Sequence, residues 1–164
     1  MHLNANVFSF YLIPPVLSFI FGGYLAVSAL SAAQGARRGT MILFAVVCVW
    51  YSLLAPVFIA HHLIADQTVI LAIERGVHFF YVYLPLILVA FFHRLLGIHR
   101  PKVLWACFAT SFMISLSTHS DAYFSGLYKF SWGFIAKGGI AFELFALYGL
   151  SAMGYSIYCF IIAS

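Results

Sequence analysis

The chain has 164 residues, 65% apolar and 7% charged, with a net charge of +4 and a mean hydropathy of +1.05. Soluble domains are about half apolar and a quarter charged, so this composition describes an integral membrane protein and excludes a water-soluble catalytic domain. The eight basic residues sit singly or in pairs between apolar segments, which excludes nucleic acid as a partner and makes them determinants of topology.

A spanning helix needs about 20 mostly apolar residues. Five segments qualify, the fourth slightly short, and predict an all-α transmembrane helical bundle forming a single domain over 1–164. The first runs from about 7 to 33, with Pro14 and Pro15 in its opening turns. Gly22 and Ala26, and Ala29 and Ala33, are spaced four apart and let a neighbouring backbone come close. The second segment covers about 40–60. The third covers about 77–96, with Pro85 near its middle as a kink. The fourth covers about 103–118 and the fifth about 138–162. None shows the polar/apolar alternation of a membrane barrel.

The connections orient the bundle. The first, "QGARRG", and the third, "HRLLGIHRPK", hold Arg37, Arg38, Arg94, Arg100 and Lys102, five of the eight positive charges. By the positive-inside rule these two are cytoplasmic, which places the N-terminus outside and the C-terminus inside. Arg75, Lys129 and Lys137 then lie outside, with Asp66, Glu74 and Asp121. The last outer connection is rich in Phe and Tyr. It predicts a loop or short helix lying in the membrane interface, with Tyr128, Trp132 and Lys137 as its anchors.

Cys48, Cys107 and Cys159 fall inside apolar segments without metal-ligand spacing, so they read as small buried hydrophobes. There is no GxSxG, HExxH, P-loop or GxGxxG, and the chain is expected to be non-catalytic, with no metal site. The end of the chain, "YSIYCFIIAS", carries no basic anchor. That fits a small subunit held by neighbours or a longer protein.

The outer side gathers the groups that carry chemistry. Glu74 and His78 share a helix face four residues apart, and Arg75 and His78 three apart. The short connection after His61 and His62 brings them toward the start of the third helix. His61 or His62, Asp66, Glu74 and His78 are therefore expected to line one outer pocket for a proton, metal or small ligand. The competing reading is polar helix ends meeting water. Glu143, about five residues into the fifth helix, is expected either to join through Lys137, Arg75 or an outer His, or to stand as a solvated helix-start carboxylate favoured by the helix dipole. Bis-His haem ligation would pair His61 or His62 with His78 or His119 near the outer surface. A lipid-like ligand is the other cofactor the composition allows.

The segment "ERGVHFFYVYLPLILVAFFHRLLG" resembles the third helix of the N-terminal seven-transmembrane region of bacterial sensor histidine kinases and related diguanylate cyclases. Arg75, His78, Pro85 and Phe91 stand at matching places. "LYKFSWGFIAKGGIAFELFALYG" resembles that family's outer loop, through Trp132, Gly133, Lys137 and Gly138, and Trp50 fits the second helix. The resemblance covers the family's first five helices and no output module. It implies a sensory or input region in the bacterial inner membrane that signals to a cytoplasmic partner, and supplies no catalytic residues. The alternative is a small accessory subunit of a larger electron-transfer or photosynthetic complex. It would pack against other transmembrane subunits and membrane lipids, holding quinone, pigment, lipid or haem.

Overall fold

A computed structural model describes residues 12–131 and 133–163, and these form a helical bundle with one β-hairpin. The helices are α1 (Ile13–Ser31), α2 (Arg38–Ser52), α3 (Leu54–Leu63), α4 (Gln67–Tyr81), α5 (Leu84–Leu95), α6 (Pro101–Ser117) and α7 (Ile140–Ala163). Strands β1 (Phe124–Phe130) and β2 (Gly133–Gly138) stand between α6 and α7. Four continuous helical stretches are long and apolar enough to cross a membrane: Ile13–Ser31, Gly35–Leu63, Gln67–Leu95 and Ile140–Ala163. Helix α6 is apolar but shorter. The part of the first expected segment before residue 12 lies outside the described residues.

The helix boundaries follow local chemistry. Pro14 and Pro15 open α1, where no intrahelical donor is needed. Asp66 caps α4 by accepting from the backbone amides of Thr68 and Val69. That cap starts the third helical stretch at Gln67, ten residues before the expected position, so Glu74, Arg75 and His78 lie well inside a helix. At the other end of this stretch Gly97 takes a left-handed φ of 67°, and Ile98 N–H returns to the His93 carbonyl at 2.8 Å.

The second and third stretches are each interrupted once. The second breaks at Leu53 and the third at Val82–Tyr83, just before Pro85. The break in the third stretch stands where the sequence predicts a kink. A break at membrane depth needs partners for the carbonyls it exposes. Trp50 Nε1 donates to the Phe80 carbonyl at 3.1 Å, and Ser111 Oγ to that of Val82 at 2.9 Å.

Helix α5 is the hub of the bundle, packing on α2, α6 and α7, while α1 packs on α2 and α3. Ala26, Ala29, Ala45 and Cys48 form a close α1–α2 seam. Gly22 belongs to it, since a Cβ there would collide with the Ser52 hydroxyl. This is the small-residue approach the spacing predicts. The outward faces of α1 and α7 are almost wholly apolar, from Val16 to Leu30 and from Ile140 to Ile162.

The expected interface loop is instead an antiparallel hairpin. Its register runs from Phe124 opposite Gly138 to Phe130 opposite Gly133, with an irregularity between Phe124 and Gly126. The fold is therefore a helical bundle carrying a small sheet rather than purely all-α. Tyr128 is exposed on β1 with Lys137 Nζ 5.8 Å from its ring centre, and Trp132 lies outside the described residues.

Candidate functional site

Helices α3 and α4 meet at the short turn 64–66, and β1 and β2 pack over this corner. The second core cluster, Val82, Tyr123 and Phe124, lies beneath the hairpin. Beside it are three buried ionisable side chains, His61 (4% exposed), Glu74 (7%) and His78 (9%).

Glu74 bridges the two imidazoles. Its Oε1 lies 2.8 Å from His61 Nε2, and its Oε2 lies 3.1 Å from His78 Nδ1. Neither His61 Nε2 nor Glu74 Oε2 makes a hydrogen bond, so the two approaches are close ionic contacts. His61 Nδ1 contacts the Phe134 carbonyl of β2. His78 Nδ1 also reaches the Glu74 carbonyl at 3.0 Å. The His78 ring is boxed by Phe124, Tyr81, Tyr123 and Phe142, at centroid distances of 4.8, 5.6, 5.7 and 6.2 Å.

A carbonyl only accepts, so His61 Nδ1 carries a hydrogen toward Phe134. His78 Nδ1 lies near two acceptors, the Glu74 carbonyl and Oε2. His61 Nε2 then stands 2.8 Å from a carboxylate oxygen, where two lone pairs would repel, and a proton on either group relieves that repulsion. The cluster thus gathers one carboxylate and two imidazoles beneath the hairpin.

Other expected members fall elsewhere. His62 turns back to the Phe58 carbonyl at 2.8 Å and does not reach Glu74. Asp66 is exposed and serves as the α4 cap. Its carboxyl is held below the ordinary value, chiefly by the Thr68 hydroxyl donating at 2.7 Å. Arg75 donates to Asp121 at 2.6 Å and to the Phe124 carbonyl at 2.7 Å. It ties α4 to the entry of β1 and leaves the histidines to Glu74. Glu143 is exposed in the first turn of α7 and makes no ion pair among the described residues, so its expected place in the pocket is not realised. His119 is exposed, with its ring 5.9 Å from Phe79.

Sequence reasoning placed Asp121 on the outer side without its pairing to Arg75, and missed Tyr123, Phe124 and Phe134. The available signal was two short runs, "FSGLYKF" and "GFIAKG", rich in strand formers and separated by two residues. Tyr123 is fully buried and its hydroxyl has no partner among the described residues.

No protein-family model, curated protein or solved structure matches this chain.

Proposed function

We propose that this chain is a non-catalytic sensory or input bundle of the bacterial cytoplasmic membrane. It would have five spans, an outer N-terminus and an inner C-terminus. The input is a proton, or a small ligand that competes for Glu74, arriving at the His61–Glu74–His78 cluster from the hairpin side. The observation that carries this reading is the burial of a carboxylate between two imidazoles directly under the β-hairpin. Intramembrane ionisable groups are costly and generally functional, and imidazoles titrate where physiological signals lie.

The route of response follows from the contacts. His61 closes α3 and holds β2 through the Phe134 carbonyl. A change in the proton between His61 and Glu74 alters that link, and with it the packing of α3 and α4 against the hairpin. The kinked α4–α5 stretch leads from the cluster to the basic end of the bundle, where a cytoplasmic partner would read the shift. The resemblance of the Arg75–Phe91 segment to sensor kinase helices supports the same reading.

The test uses spin labels on the exposed positions Ala65→Cys and Lys129→Cys in reconstituted protein. Shifting the outer pH from about 8 to about 5 is expected to change the label distance in the wild type and not in a Glu74→Gln background. An unchanged distance in the wild type sinks the reading.

The apolar outer faces of α1 and α7 favour one alternative, an accessory subunit packed against other transmembrane subunits, lipid, quinone or pigment. Stoichiometric recovery with a larger complex from native membranes, without the pH response, would establish it. For haem, both ring nitrogens of His61 are already engaged, so an iron would have to displace Glu74 or Phe134.

A further inference from the structure

The end of the bundle opposite the hairpin contains a cavity of about 520 Å³ between the start of α2, the end of α5 and the start of α6. Ala36 and Thr40 form one wall, His93, Arg94 and His99 another, and Leu104 a third. Arg37, Arg38, Arg100 and Lys102 flank these positions in the chain. The four carboxylates of the sequence, Asp66, Glu74, Asp121 and Glu143, all belong to the hairpin end. Positive charge here is therefore uncompensated by any acidic side chain.

The cavity has features of a built site. Arg94 lies across the first turn of α2: a Cβ on Gly39 would stand 2.9 Å from its Nε and 3.1 Å from its Nη2. The exposed guanidinium thus lies close to the α2 backbone at the rim of the cavity, and it pairs with no carboxylate among the described residues. His93 is 4% exposed. Its Nε2 shares a hydrogen bond with the Tyr155 hydroxyl at 2.9 Å, while its Nδ1 is buried without a partner. The left-handed Gly97 turns the chain so that His99 returns to the same cavity. The Thr40 wall adds a neutral donor. A guanidinium, two imidazoles and a hydroxyl around one space match a tetrahedral oxyanion, which accepts several hydrogen bonds at once.

We infer that this cavity binds a phosphate-bearing anion, supplied by the headgroup of an anionic membrane lipid or as free inorganic phosphate. Anionic lipids are abundant in the leaflet that basic loops face, but the site is defined by its donors and not by the orientation of the bundle. It is also independent of the His61–Glu74–His78 cluster, so either proposal can fail alone.

The experiment is native mass spectrometry of the full chain released from nanodiscs of phosphatidylcholine containing a minor fraction of phosphatidylglycerol. Phosphatidylglycerol is expected to be retained about tenfold over phosphatidylcholine, and this preference is expected to fall about tenfold in Arg94→Gln and in His99→Gln. Both positions are exposed, so folding should persist, and Lys129→Gln on the hairpin should behave as wild type. Adding inorganic phosphate separates the two sources. Displacement of the lipid identifies a site open to free phosphate, and persistence identifies a headgroup site. Equal retention of the two lipids, or full preference in both variants, overturns the inference.

Discussion

Glu74 carries most of the chemistry at the scale of single residues, and its substitutions separate charge from hydrogen bonding. In Glu74→Gln the amide nitrogen can donate to His61 Nε2 while its oxygen accepts from His78 Nδ1. Each polar atom of the cluster then has a neighbour to pair with, yet the ionisable carboxyl is gone. The expected cost is below about 1.5 kcal/mol, and His61 becomes a neutral ring protonated at Nδ1 alone. Glu74→Ala leaves two buried imidazoles facing an empty space and should cost about 3 kcal/mol or more. Unfolding in mixed micelles gives the stabilities, and nitrogen-15 spectra of the histidines give the protonation. Equal costs for the two substitutions would mean that the carboxylate acts only by filling volume. The spacing of Glu74 and His78 and the proximity of His61 were legible in the sequence, because a helix face and a short connection set both. The choice of His61 over the adjacent His62 was not. Neighbouring residues on a helix point about 100° apart, and only the position of β2 decides which of the two is covered.

Among the elements, α4 and the hairpin show how local chemistry overrides a hydropathy boundary. The apolar run alone places the third helix at about 77, but the Asp66–Thr68 cap moves its start to Gln67. Folding holds the Asp66 carboxyl ionised to lower pH than in the unfolded chain. Its contribution is therefore fully present above the ordinary aspartate value of about 4, and fades as pH falls through the lower folded value. Protection factors of the first-turn amides of α4, which divide out the intrinsic pH dependence of exchange, should fall below about pH 4 in the wild type. In Asp66→Ala they should be low at every pH, and wild-type protection that ignores acid would deny the cap. The hairpin depends on Gly133, whose φ of 149° suits glycine and whose missing Cβ leaves room for the His61 carbonyl. Gly133→Ala is expected to loosen β1 and β2 while the α1–α2 seam keeps its protection. Amide exchange at least about tenfold faster in the strands, roughly 1.4 kcal/mol, would show it. Retention of full strand protection would show that docking does not need the close approach. The strands were illegible because Phe, Tyr, Trp and Gly are as common in interfacial loops as in short hairpins.

For the whole molecule, charge asymmetry and apolar surface were legible from the sequence, since both depend on composition and order rather than on packing. Arg37, Arg38, Arg94, Arg100 and Lys102 lie at one end of the bundle, and all four carboxylates lie toward the other. The positive-inside rule turns that asymmetry into an orientation. The proposal that a signal arrives from outside requires the hairpin to be outside, so the orientation can be tested directly. In a background lacking Cys48, Cys107 and Cys159, Lys129→Cys on β1 should react with a membrane-impermeant maleimide in intact cells. Lys102→Cys, at the start of α6, should react only after permeabilisation. Both positions are exposed, so a negative result reflects sidedness rather than burial. The bias of five positive charges against three is modest, and the four acidic groups weigh little in the rule. The opposite labelling pattern would place the His61–Glu74–His78 cluster on the cytoplasmic side. It would then answer to the interior of the cell, and the outer-signal reading would fall while the chemistry of the cluster stood.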